Sequence, residues 1–318
     1  MSLLLELVQH TGLSAAELRR IIQTAPKRYR AFPISKRNGT ERIIAQPSRE
    51  VKELQRYLLD QKLTGFPVHD SAMAYEAGTS IRKNAYRHKN GNYILKLDFK
   101  EFFPSIKPRD LENLIRRSKR EEIAVSDIPI YLKILFWGGL DKSTIPQCLS
   151  IGSPSSPRIS NILMFDIDER ICSEVQKFDV MYTRYADDIT LSGKGLEVVR
   201  AAEDKVVQVV RKSRFPKLEF NRDKRGIYSR AVRRMVTGLV ITPVGSISIG
   251  RERKREISAL LHRSSLNQLV TEERGHLKGL LGFCVACEPE FVGRMREKYG
   301  HKTIDEAMKY HVPKKRGR

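Results

Sequence analysis

Two adjacent aspartates, Asp187 and Asp188, stand at the turn of a strand–turn–strand pattern running from Tyr182 to Ser192. Neighbouring carboxylates repel one another unless something positive sits between them. A third, Asp98, ends the short apolar strand Tyr93–Asp98. Three carboxylates brought together from strand ends and a hairpin tip suit hard, oxygen-seeking cations such as Mg²⁺. Two such ions activate a sugar hydroxyl and stabilise a leaving pyrophosphate in an in-line displacement. An isolated Asp-Asp pair is most often an exposed turn, so the reading depends on what the rest of the chain supplies.

The charge supplies the first support. The chain has 318 residues, with 59 Lys plus Arg against 37 Asp plus Glu, a formal net charge of +22. The basic residues are spread along the chain, which suits a lined groove for a polyanion rather than a flexible arm. The length predicts one large domain or two moderate ones. With 40% hydrophobic and 30% charged residues, a folded core is expected and wholesale disorder is not. The longest apolar runs, such as Tyr131–Leu140, are short and broken by Lys133, so no membrane span is expected. The N-terminus lacks a basic stretch and a small-residue cleavage site, so no secretory signal is read there. Four cysteines make no disulfide framework, which points to a reducing, cytoplasmic compartment. Cys284 and Cys287 form one pair without a second of matching spacing and are read as buried thiols rather than zinc ligands.

Local patterning orders the remainder. Ser14 and Glu17 fit a capping box ahead of Leu18, Ile21 and Ile22 within a helical segment over residues 1–30, and Pro26 ends that helix. Residues 31–35 and 41–45 flank Lys36-Arg37-Asn38-Gly39-Thr40, a hairpin with a basic tip. A helix is expected over 50–62. Another begins at Ser156-Pro157, with Ile159, Ile162, Leu163, Ile167 and Ile171 as its apolar stripe. Residues 196–211 are read as helix and 235–249 as a second hairpin around Pro243-Val-Gly245. From Arg251 onward the pattern is helical and basic.

With these residues in view, the chain resembles a reverse transcriptase. Tyr185-Ala-Asp-Asp188 and Leu97-Asp98-Phe99-Lys-Glu-Phe102-Phe103-Pro-Ser105 resemble motifs C and A of that family's palm. Ile151-Gly152-Ser153-Pro154-Ser155-Ser156-Pro157-Arg-Ile-Ser-Asn161 resembles motif B, which contacts the templating base pair. Leu218-Glu-Phe-Asn221-Arg-Asp-Lys224 resembles motif D, whose lysine lies near the departing pyrophosphate. The order A, B, C, D is the family's own, and four motifs in order are far more specific than any one. Motif B departs from the common Pro-Gln-Gly pattern, because Ser150-Ile151 stands where Pro-Gln is usual. Asn84-Ala85-x-x-His88 and Val236-Thr237-Gly238 resemble two elements of bacterial retron reverse transcriptases, the second of which helps recognise structured RNA. The segment His276–Tyr299 resembles the retron thumb.

The resemblance implies an α+β right-hand polymerase: an N-terminal helical extension (1–30), interleaved fingers and palm (31–249), and a helical thumb with a basic tail (250–318). Asp98, Asp187 and Asp188, with the Phe99 carbonyl, would hold two Mg²⁺ ions. Phe103, five positions after Asp98, would exclude the 2′-OH of a ribonucleotide. Arg42, and Lys36 and Arg37 beside it, would fold over the triphosphate. Gly152 and Lys224 complete the nucleotide site. Asn84, His88, Val236, Thr237 and Gly238 would serve the RNA, and Arg251 and Arg255, with Arg253, Lys254 and Arg263 nearby, would contact phosphates, which gives affinity and position rather than sequence readout.

The implied partners are a structured noncoding RNA template, its branched RNA–DNA product primed from a 2′-OH, dNTPs, an accessory effector in antiphage defence, and a host ribonuclease H acting on the product. Two alternatives stay open on the sequence: another prokaryotic reverse transcriptase, intron-like or domesticated, and a non-enzymatic RNA-binding scaffold of polymerase shape.

Overall fold

The computed structural model describes residues 2–35, 39–118 and 123–311. The hairpin tip Lys36-Arg37-Asn38 and the tail Pro313–Arg318 therefore lie outside the described residues. The chain divides into two compact units: one of Met1–Ala77, Leu95–Leu191 and Leu196–Gly226, the other of Gly78–Ile94, Ser192–Gly195 and Ile227 onward.

The first unit opens with helices α1 (Leu3–Thr11) and α2 (Ala15–Thr24). The capping box at the start of α2 is formed: the Glu17 amide donates to Ser14 Oγ at 3.3 Å and the Ser14 amide to Glu17 Oε2 at 3.1 Å. A 3-10 turn at Ala25–Lys27 ends the helical segment, and strand β1 (Tyr29–Ser35) pairs antiparallel with β2 (Glu41–Pro47), Ile34 opposite Arg42. The strand starts before the expected Ala31 because Tyr29 is buried and its hydroxyl is held at 3.0 Å by Gln55. Gln55 belongs to α3 (Arg49–Gln61), which Ser48 caps and which buries Val51, Leu54 and Leu58.

The second unit takes up the chain at α4 (Ile81–Arg87) and returns it through β3 (Tyr93–Asp98). Back in the first unit come α5 (Phe102–Ser105), α6 (Pro108–Ser118), α7 (Ile128–Leu135) and the long α8 (Ser156–Gln176). The expected stripe of α8, from Ile159 to Ile171, is buried. Strands β4 (Met181–Tyr185) and β5 (Asp188–Gly193) then form, and β5 lies between β4 and β3 in a four-stranded sheet. Helix α9 (Leu196–Lys212) packs on α8, burying Val199, Ala202, Val206 and Val210.

In the second unit, β6 (Gly226–Ser229) leads to a three-stranded meander, β7 (Arg234–Val236), β8 (Leu239–Ile241) and β9 (Ile247–Ser248). This corrects the single hairpin expected over 235–249. Val236 pairs directly with Leu239, leaving Thr237 and Gly238 as a two-residue turn with φ of 46° and 79°. Positive φ at both turn residues matches the twist of antiparallel strands, and Gly238 adopts it without a Cβ clash. Helices α10 (Arg251–Ser265), α11 (Thr271–Cys287), α12 (Pro289–Tyr299) and α13 (His301–Lys309) complete the unit. Its core joins Ala85, Val236, Leu239 and Ile241 to Leu261, Leu281 and Phe291. Cys284 and Cys287 lie in this core as free, buried thiols. Among the described residues no helix is long and apolar enough to cross a membrane.

Candidate active site

The three aspartates meet in the first unit. Asp98 ends β3 with 5% exposure, Asp187 lies in the β4–β5 turn, where Ala186 takes a left-handed φ of 58°, and Asp188 opens β5. Pairing of β3 with β5 brings them together, and the Phe99 amide donates to the Asp187 carbonyl at 3.0 Å. One carboxylate oxygen from each residue lies within 4.8 Å of the others. Burial, then the Asp98 charge, pushes the Asp187 carboxyl upward. Burial and its two acidic neighbours push Asp188, whose side chain still reaches solvent, up to about 6. An all-oxygen set in which Asp187 and Asp188 resist ionisation is the donor chemistry a hard divalent cation relieves.

One cation is already present. Lys224, in the turn Arg222–Lys224, places Nζ 2.7 Å from Asp98 Oδ2. It arrives there because residues 219–221 run alongside Phe99: the Lys100 amide donates to the Glu219 carbonyl and the Asn221 amide to the Asp98 carbonyl, at 2.8 and 2.7 Å. The Phe99 ring is buried and stacked against Phe102 and Phe220, with centroids 5.7 and 4.9 Å away. Arg42 is exposed on β2, close enough for its charge to act on Asp187.

Beside the carboxylates lies a cleft of about 360 Å³ lined by Phe103, Tyr75, Lys52, Arg56 and the Ser150–Pro157 loop. Gly152 is required there on two counts. Its φ is 115°, and a Cβ would meet Ile44 Cγ2 at 3.0 Å and the Ala45 carbonyl at 3.1 Å. The loop is pinned by the Ala45 amide, which donates to the Ile151 carbonyl at 2.8 Å, and by Ser153, which donates to Gln55 Oε1 at 2.7 Å. The departure at Ser150-Ile151 therefore leaves the loop anchored through backbone and Gln55.

A network that sequence reasoning missed holds the Ala186–Asp187 turn through buried polar groups. Arg184 is fully buried and paired with buried Asp168 of α8, through Nη2 at 2.6 Å and Nε at 2.9 Å. Its Nη1 donates to Asn161 Oδ1 and to the carbonyl of Ala186, both at 3.1 Å. Tyr182 donates to Asp168 at 2.6 Å. The one signal in the sequence is an acid, Asp168, inside an otherwise apolar helical stripe, since buried charges persist only when paired.

The other singled-out residues lie in the second unit. Asn84 on α4 and His88 at its end are buried, as is Val236. His88 Nδ1 is 2.7 Å from Ser192 Oγ, and burial pushes its imidazole down to about 3, so it is neutral. Thr237 Oγ1 donates to the Ile81 carbonyl at 3.0 Å, and Arg253 donates to the Gly238 carbonyl at 3.1 Å. The elements resembling the two retron motifs thus pack on each other. Arg251 and Arg255 are exposed on α10.

Comparison with known proteins agrees with this geometry. The profile of the family "Reverse transcriptase (RNA-dependent DNA polymerase)" matches residues 34–256. The chain is 37% identical over 284 residues to the Retron Ec83 reverse transcriptase of Escherichia coli, covering 89% of this chain and 90% of that one. It is 30% identical over 306 residues to the Retron Ec86 reverse transcriptase of Escherichia coli, covering 93% and 90%. Among solved structures, apo telomerase from Candida tropicalis matches with a TM-score of 0.51 at 14% identity, over 88% of this chain and 61% of that one, a likeness of fold alone. The chain belongs to the reverse transcriptases of bacterial retrons.

Proposed function

We propose that this reverse transcriptase copies part of a structured noncoding RNA into single-stranded DNA, starting from a 2′-OH of that RNA and leaving a branched RNA–DNA product. The observation that carries the reading is the cluster of Asp98, Asp187 and Asp188 with Lys224 alongside, in a chain matched nearly end to end by retron enzymes. In this reading residues 31–249 form the fingers and palm, residues 250–318 the thumb, and residues 1–30 an extension.

Asp98, Asp187 and Asp188, with the Phe99 carbonyl, hold two Mg²⁺ ions. When bound, these supply Lewis-acid stabilisation of the attacking hydroxyl and of the leaving pyrophosphate. Lys224, released from Asp98, lies where the pyrophosphate departs and steadies its charge. Arg42 faces the triphosphate, and Gly152 lets the chain approach the nascent pair closely. Phe103 presses on the sugar and rejects a 2′-OH, so dNTPs are favoured over ribonucleotides.

Toward RNA, Asn84, His88 and Val236 act through the shape they impose, because their side chains are buried. Thr237 and Gly238 at the half-buried turn, and Arg251 and Arg255 exposed on α10, contact the RNA in this reading. In the cell the product is trimmed by a host ribonuclease H, and enzyme and product act with an accessory effector in antiphage defence.

The test is sequencing of nucleic acids that copurify with the protein, beside an Asp187→Ala/Asp188→Ala control. A discrete DNA branched from one RNA, present only with intact aspartates, is the expected result. RNA without DNA in both samples would overturn the reading.

A further inference from the structure

Residues 71–76 run along the catalytic turn and α8 as a strongly anchored loop. The Arg184 amide donates to the Ser71 carbonyl at 2.8 Å, and the Met73 amide donates to the Arg184 carbonyl at 2.7 Å. Asn161 Nδ2 donates to the Ala74 carbonyl and to Glu76 Oε1, both at 2.9 Å, and Arg158 pairs with Glu76 Oε2 at 2.7 Å. Between these anchors sits Tyr75, with φ of 68° and 52% of its surface exposed.

That conformation crowds the Cβ of any L residue against the following carbonyl, which is why glycine or asparagine normally occupies it. Packing does not offset the strain, since half the side chain faces solvent. Strain held in place by surrounding anchors points to a use for the side chain. The place narrows that use. Tyr75 lines the same cleft as Phe103 and Gly152, and the charges of Asp187 and Arg42 reach its hydroxyl. An aromatic face on an anchored backbone, lining the cleft with the Gly152 loop and within reach of the Asp187 charge, matches a flat partner. Stacking also tolerates any sequence, because every nucleobase has a π-face, as a copying enzyme requires.

We propose that Tyr75 is a substrate-binding residue whose ring packs on the nascent base pair of template and incoming nucleotide. The backbone strain is then what turns the ring into the cleft, and the Asn161 and Glu76 anchors tie its position to α8 and to the catalytic turn.

Steady-state primer extension by the full chain on a generic primed RNA, at saturating Mg²⁺, tests this alongside thermal melting. Tyr75→Gly removes the ring and relieves the strain. It is expected to raise KM for dNTP by roughly tenfold or more, the scale of one lost stacking contact, while melting at or above the native temperature. Tyr75→Phe, which restores the ring, is expected to bring KM back to within about threefold. Three results would overturn the proposal. An unchanged KM in Tyr75→Gly would remove the contact. A fall in melting temperature parallel to the loss of activity would make the role structural. Failure of Tyr75→Phe to restore KM would assign the function to the hydroxyl.

Discussion

At the β4–β5 turn, Asp187 and Asp188 still reach solvent while partial burial and neighbouring acids push their carboxyl groups upward, Asp98 acting on Asp187 and both Asp187 and Asp98 on Asp188. At α4 and the β7–β8 turn, Asn84, His88 and Val236 are closed off, and the one titratable group among them is pushed down and neutral. The first region leaves its carboxylates within reach of solvent, as a site for a hard cation requires. In the second, His88 is bonded to Ser192 and Thr237 to the Ile81 carbonyl, so that the buried motif residues act on the outside only through the backbone they hold. A motif residue can therefore serve by being reached or by fixing what is reached.

The largest expected effect is at the carboxylates. Asp187→Asn should lower primer extension by on the order of a thousandfold or more. It should leave the metal-free protein at least as stable, because one repelling charge is gone. A variant that is both inactive and less stable would make the aspartate an ordinary structural residue. Next comes the buried support. Asp168→Ala strands the Arg184 guanidinium and should cost about 3–5 kcal/mol in urea unfolding, far more than any exposed ion pair removed from the same unit.

The two regions should respond to acid with opposite sign. For His88 the folded value lies near 3, against an ordinary 6.5. Its contribution is thus fully present above about 6.5 and is lost as pH falls toward 3, by up to about 1.4 kcal/mol per pH unit. For Asp188 the folded value lies near 6, against 3.8. Its contribution is thus present at low pH and is lost as pH rises from about 4 through 6. Hydrogen exchange on metal-free protein at pH 7 and pH 5 should show α4 less protected at pH 5, with β4 and β5 unchanged or better protected. His88→Gln should abolish the first change alone. The smallest effect is at the turn. Thr237→Ala loses one hydrogen bond to the Ile81 carbonyl and should cost about 1 kcal/mol. If the turn reads RNA, that change lowers synthesis on the cognate RNA while extension of a generic primed template persists.

The elements read correctly were those whose signal is local. The capping box at Ser14, the hairpin around residues 36–40, the apolar stripe of α8 and the strand–turn–strand at Asp187 each carry their pattern within a few turns of chain. The meander was missed because Val236-Thr237-Gly238 has strand composition, and only the Val236–Leu239 pairing makes its last two residues a turn. Nothing local in the sequence marks Arg184 as a buried residue. The structure turns it inward to Asp168, and Lys224 comes from a distant segment to meet Asp98.

Charge, the four motifs in order and the two retron-like elements were enough to name a polymerase chemistry and its three carboxylates, since those features are written in residue type and spacing. Which cation sits on which carboxylate, that Asn84 and His88 face inward, and that Tyr75 is held in a left-handed conformation beside Phe103 were decided by long-range packing. Hydrogen-bond partners far apart in the chain are chosen by sheet pairing and burial, and these depend on every element at once rather than on any local run of residues.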